Sequence, residues 1–283
     1  MPGTFIEAYE GLLDRWGGGV DHLDIPTPYG ITRVNCAGPE GAPPLLLLPG
    51  GGDTSASWFA NVPEWARTRR VLAADLIGDA GRSLPAQGRR IGSVADLGRW
   101  LDALLDGLGV GRTALAGHSY GAWIALHYAL VSSRVSHLAL ADPTGCFAGY
   151  RPGYLLRALP TLLAPSPARV RSFLRWETGG APLDPDWLRL QEAAAGVEKA
   201  RPVTKPRPST AALRALRTPT LIVLAGRGRP HDAERVAKAV SGLLPDAEIA
   251  VLPGSSHHGM QHQAADELNA LVGAFIGRAD LSG

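Results

Sequence analysis

The sequence predicts an α/β fold: a mainly parallel sheet of eight strands, helices on both of its faces, and a helical segment inserted late in the chain. Three observations carry that prediction. Six apolar runs of strand length, "PPLLLLPG", "RRVLAADLIG", "RTALAGHS", "VSHLALADP", "TPTLIVLAG" and "AEIAVLPG", each end in turn residues. Helical periodicity separates several of these runs, as the crossovers of a parallel sheet require. The stretch 145–208 then breaks the rhythm, with many prolines and no strand-like run.

Taken in order, the start "MPGTFIEAYEGLLDRW" has a helical period. "DHLDIPT" and "GITRVNCAG" follow, separated by Pro28-Tyr29, and their alternation suits an antiparallel hairpin at the sheet edge. Leu45 to Leu48 have no polar face, so they read as a strand covered on both sides. The clearest helix carries Val94, Leu97, Trp100, Leu101, Leu104, Leu105 and Leu108, with Ser93 as its N-cap and Gly109 as its stop. Ala122, Trp123, Ala125, Leu126 and Ala129 repeat at helical spacing after "GHS".

Within the inserted segment, helical pieces fall around Gly153–Leu163, Ala168–Trp176 and Pro185–Lys199. Its Tyr150, Tyr154, Phe173, Trp176 and Trp187 suit either the segment's own core or the wall of an apolar pocket. The proline-rich, basic "KARPVTKPRP" reads as an extended return linker. The expected organisation is therefore a core of residues 1–144 and 209–283 interrupted by a helical cap at 145–208.

Composition narrows the function. With 28 basic and 26 acidic residues the formal charge is +2, which gives no electrostatic footprint for nucleic acid or an anionic membrane. The two cysteines, Cys36 and Cys146, have no metal-ligand spacing and make no disulfide framework, so they read as small buried apolar residues in a reducing compartment. The N-terminus lacks a basic stretch followed by an apolar one, and no apolar run nears the roughly 18 residues of a membrane span. The expectation is a cytoplasmic protein without metal or cofactor, acting on a small molecule.

The chemistry lies in "LAGHSYGAWIAL". Gly117-His118-Ser119-Tyr120-Gly121 is a G-x-S-x-G nucleophile elbow at a strand-to-helix turn, where both glycines let backbone approach closely. The helix beginning at Tyr120 turns its N-terminal N–H groups and positive dipole end toward the serine. "LLLLPGGGDTSASW" at 45–58 and "VLPGSSHH" at 251–258 complete a trio of motifs, each after a predicted strand.

On these motifs the chain resembles the α/β-hydrolase superfamily, from about the first hairpin strand to the last helix, and most nearly its carboxylesterase-like serine hydrolases with a helical cap. The resemblance implies the eight-stranded α/β-hydrolase sheet and Ser119 as nucleophile. It implies His257 as the general base, ahead of its neighbour His258, and it implies the N–H groups of Gly51 and Tyr120 as an oxyanion hole. His118 and the remaining histidines read as structural or solvent-facing.

The third triad member departs from the pattern. Most relatives carry a carboxylate in the loop after the strand matching "TPTLIVLAG", where "GRGRPHD" has Arg229, which cannot accept a hydrogen bond. Two carboxylates stand open in its place. Asp142 ends the strand "VSHLALAD", and Asp232 lies further along the arginine's loop at the start of a helix. Arg229 is expected to pair with Asp232 or to anchor a substrate carboxylate. The resemblance implies cleavage of an ester, thioester or lactone through an acyl-serine; the alternative is a non-hydrolytic protein of the same fold, a small-molecule receptor or a lyase or cyclase.

Overall fold

The computed structural model describes residues 2–204 and 207–278. Helix α1 (Pro2–Leu13) leads into β1 (Asp21–Thr27) and β2 (Gly30–Ala37), an antiparallel hairpin in the register Thr27↔Gly30. Thr27 tightens the turn: its hydroxyl donates to Gly30 O (2.8 Å) and accepts the Tyr29 N–H (3.2 Å). Strand and helix then alternate through β3 (Pro44–Leu48), α2 (Val62–Trp65), β4 (Arg70–Ala74), β5 (Leu84–Pro85), α3 (Val94–Gly107), β6 (Thr113–His118), α4 (Tyr120–Ala129) and β7 (Val135–Ala141). The next described elements are all helical: α5 (Pro152–Leu163), α6 (Pro167–Glu177), α7 (Pro185–Ala194) and α8 (Thr210–Ala215). The chain closes with β8 (Thr220–Ala225), α9 (Ala233–Leu243), β9 (Glu248–Leu252), α10 (Met260–Gln263) and α11 (Ala265–Gly277).

One sheet takes the order β1-β2-β4-β3-β6-β7-β8-β9, with β5 paired to β2. From β4 to β9 every neighbouring pair is parallel, whereas β2 pairs antiparallel with β1, β4 and β5. The sheet thus has nine strands, not the eight expected. The addition is the two-residue β5, exposed at both positions and ending in proline, too short to leave a periodic pattern and tolerated because it lies at an edge.

Period-two geometry divides the leucines of β3 between two cores. Leu45 and Leu47 face a cluster with Trp58, Trp65 and Phe275, whereas Leu46 and Leu48 face Trp100, Leu104 and Ile124. Helix α3 presents Leu97, Trp100, Leu101, Leu104 and Leu105 to the second cluster, and Ser93 caps it by accepting the Asp96 N–H (3.1 Å).

Helix α7 and the chain that follows it cross the carboxyl ends of β3, β4 and β6, as four hydrogen bonds show. Trp187 Nε1 donates to Ser57 Oγ (3.1 Å), Gln191 Nε2 to Asp53 Oδ1 (2.6 Å), the Ala200 N–H to Gly78 O (2.6 Å), and the Tyr120 hydroxyl to Val203 O (3.2 Å). The third helical piece stops at Ala194 instead of reaching Lys199, because Gly196, a poor helix former, follows. Lys205 and Pro206 of the return linker fall outside the described residues. Among the described residues no helix is long and apolar enough to cross a membrane.

Candidate active site

Ser119 joins β6 to α4 with φ 52° and ψ −112°, a backbone that side-chain-bearing residues rarely adopt. The flanking glycines make the turn possible. A Cβ on Gly117 would come within 2.5 Å of the Gly121 backbone, and one on Gly121 within 2.4 Å of Leu48 O and Pro49 O. The Ser119 N–H is tied to Ala141 O (3.0 Å), which holds the turn against β7.

His257, in the loop after β9, directs Nε2 at Ser119 Oγ (2.9 Å) and Nδ1 at Asp142 Oδ2 (2.6 Å). Asp142 follows β7 with φ 42°, its N–H bonded to Val223 O (2.7 Å) and its Oδ1 accepting from the Ala225 N–H (3.0 Å) and His231 Nε2 (3.0 Å). Both Asp142 and His257 are buried. Burial works against an ionised Asp142, yet the hydrogen bonds from His231 and His257 outweigh it and hold the carboxyl below the ordinary range. Burial likewise lowers the proton affinity of His257, with Asp142 pulling the other way. The outcome at neutral pH is a neutral ring whose Nδ1–H donates to a carboxylate, leaving the Nε2 lone pair for the serine hydroxyl.

The other candidates stand apart. Asp232 caps α9, accepting the Arg235 N–H (3.0 Å), and pairs with Arg151 (2.7 Å). That corrects the expected Arg229–Asp232 pair: capping turns the aspartate toward its own helix and Arg151, and the Arg229 guanidinium instead covers the Trp176 ring at 4.6 Å. His258 is turned away to Glu177, with Nδ1 3.1 Å from Oε2. His118 is buried, which lowers its pKa to about 3, and its Nε2 reaches the carbonyl of His257 (2.9 Å).

Gly51 and Tyr120 are neighbours, a Cβ on Gly51 falling 3.4 Å from that of Tyr120. The Tyr120 N–H opens α4 and so has no helical acceptor behind it. Around Gly51, the Gly52 N–H binds Asp79 Oδ2 (2.9 Å) and the Asp53 N–H binds Gly50 O (3.2 Å), which fixes the loop.

Two participants left no trace in the sequence. His231 donates to the far oxygen of Asp142, and no spacing rule links the two. Glu177 ends α6 in "RWETGG", and its side chain is fully buried. Its Oε1 accepts the N–H groups of His257 (3.1 Å) and Arg229 (3.4 Å), and its Oε2 accepts the His258 N–H (3.2 Å) as well as the His258 ring. Burial opposes ionisation, but the His258 hydrogen bond and the two nearby rings lower the pKa to about 2.

The cap aromatics contact each other, with ring centroids of Tyr154 and Phe173 5.6 Å apart and those of Phe173 and Trp176 6.0 Å apart. Phe173 also meets the His258 ring edge-on at 5.6 Å. Cys36 and Cys146 are buried free thiols, and burial pushes that of Cys36 up to about 12, so it offers no thiolate at neutral pH. Among the described residues no three His, Cys, Asp or Glu side chains converge to hold a metal ion.

Known proteins resemble this chain along most of its length. A model of the alpha/beta hydrolase family matches residues 45–271. Carboxylesterase YbfK of Bacillus subtilis is 26% identical over 263 residues, covering 89% of this chain and 87% of the relative. The crystal structure of that carboxylesterase, CesB (YbfK), superposes with a TM-score of 0.89 at 25% identity, over 96% of each chain. That of naproxen esterase (carboxylesterase NP) from Bacillus subtilis gives 0.88 at 28% identity, again over 96% of each.

Proposed function

The chain belongs to the alpha/beta hydrolase family, and from that premise we propose that it cleaves carboxylic esters or related acyl bonds, thioester or lactone, through an acyl-Ser119 intermediate. One observation carries the reading: the unbroken line from Ser119 Oγ through His257 to the buried Asp142, at 2.9 and 2.6 Å. Similarity to two carboxylesterases supports it independently.

In the first step Ser119 Oγ forms a bond to the acyl carbon while its proton passes to His257 Nε2. Asp142 stabilises the imidazolium by accepting from Nδ1, and the Gly51 and Tyr120 N–H groups receive the oxyanion. Collapse of the tetrahedral intermediate breaks the bond to the leaving group, which takes the proton back from His257. Water, deprotonated by the same ring, then attacks the acyl-serine and restores the hydroxyl. Residues 145–208 serve as a cap that shields this chemistry and shapes the acyl site. The contact of Asp142 with His257 supports the hydrolytic reading over a receptor or lyase of the same fold.

Labelling with a fluorophosphonate, followed by intact-protein mass, tests the proposal. Wild type gains one adduct, whereas Ser119→Ala gains none and His257→Ala labels at a small fraction of the wild-type rate. Asp142→Asn loses roughly 10³- to 10⁴-fold in kcat, the scale of removing a triad carboxylate. Asp232→Asn stays within about twofold, as expected for an exposed cap residue. Wild type that never labels, or an active Ser119→Ala, would sink the reading.

A further inference from the structure

We propose that Glu177 is the positioning residue for His257: its carboxylate fastens the histidine loop to α6, so the reactive geometry holds only while the inserted helices are seated on the strand ends. The inference rests on the esterase reading and adds to it a coupling between cap and catalysis.

Three separate segments meet on this one side chain. It starts from the last residue of α6, and it binds backbone of the loop after β9 at His257 and His258 and of the loop after β8 at Arg229. The donors are mostly peptide N–H groups, whose positions define where the loops run. A carboxylate so fully buried is costly unless every oxygen is satisfied, and here each oxygen accepts from at least two N–H groups. Such an arrangement is lost if α6 moves by more than hydrogen-bond reach.

The peptide unit of His257 is gripped from both sides. Glu177 takes its N–H (3.1 Å), and His118, next to the nucleophile, reaches its carbonyl (2.9 Å). With backbone fixed on either side of Cα, the imidazole has little freedom except rotation of its side chain, and Asp142 fixes that. Misplacement of a catalytic group by about 1 Å can reduce rate by roughly 10²-fold, so a grip of this kind bears on kcat more than on binding.

The charge of Glu177 has a second effect. The ionisable groups around the His257 ring are Asp142 from the end of β7 with its partner His231 from the loop after β8, His118 from the end of β6, the neighbouring His258, and Glu177 from α6, while the Arg229 guanidinium lies over Trp176. Asp142 and Glu177 are the anions of this set, and both favour the imidazolium. Removing the Glu177 charge therefore makes His257 easier to deprotonate, and the acid limb of the pH–rate profile moves to lower pH.

Glu177→Gln keeps the shape and removes the charge, and Arg171→Ala, which breaks the exposed α6–α7 pair with Glu192, controls for general loosening of the cap. For Glu177→Gln we expect at least about a tenfold loss in kcat and in fluorophosphonate labelling, KM within about twofold, and an acid limb shifted to lower pH. Arg171→Ala should keep the wild-type limb. A folded Glu177→Gln with the wild-type labelling rate and limb overturns the inference while leaving the acyl-serine reading intact. Wild type that fails to label brings down both. Should Glu177→Gln not fold, hydrogen exchange on wild type decides. The amides of 253–260 should exchange in step with those of 167–177, and a histidine loop that exchanges freely while α6 stays protected refutes the coupling.

Discussion

Ser119 and Asp142 both have positive φ, 52° and 42°, and stand opposite His257. Strain of this kind is worth about 1–3 kcal/mol per residue and persists only where the surroundings enforce it. Ser119→Gly, which adopts that backbone freely, should therefore abolish activity while raising stability by about 1 kcal/mol, read as a higher Tm in calorimetry. An unchanged or lowered Tm would mean that the elbow is relaxed. The pH profile follows from the same residues. His257 must be neutral to accept the serine proton, and burial holds its pKa below the ordinary value of 6.5. Activity measured by pH-stat should accordingly persist as pH falls to 6.5 and decline only below it. A limb at or above the ordinary histidine value would contradict the buried, neutral ring.

At the scale of elements, the legible features were those with a period or a steric signature. The runs of β3, β6 and β8 are buried at nearly every position, and α3 shows a clean apolar stripe behind its Ser93 cap. Gly117 and Gly121 were legible because a side chain at either would collide with backbone. By contrast, Asp142 and Asp232 each sit in good turn or cap chemistry, and sequence had no means of showing which one faces His257. His231 and Glu177 were illegible because their partners come from distant segments. The inserted helices show the same contrast in energy. Leu190 on α7 is fully buried, so Leu190→Ala should cost about 2–5 kcal/mol in urea unfolding. Leu156 on α5 is 74% exposed, and Leu156→Ala should change stability by less than about 0.5 kcal/mol. Equal effects would mean that α5 is covered in solution.

Across the whole molecule, buried acids divide into two groups with opposite pH behaviour. Asp53 and Asp75 have pKa values raised by burial, as has the half-buried Asp79, so the folded state takes up their protons first and gains stability as pH falls through those values. Asp142 and Glu177 have lowered values, because histidine rings and N–H groups outweigh burial. For Glu177 the unfolded chain binds a proton near 4.5 and the folded chain only near 2. Its contribution to stability is complete above 4.5 and is lost as pH falls toward 2, because in that window the unfolded state holds the extra proton. Acidification should thus release the histidine loop and the cap together, since one carboxylate fastens them. Unfolding free energies between pH 4.5 and 2.5 should climb with pH more steeply for wild type than for Glu177→Gln, by up to about one proton's worth of slope. Parallel slopes would place the acid-sensitive contact elsewhere, and the loss of Glu177 would then be felt only in the rate.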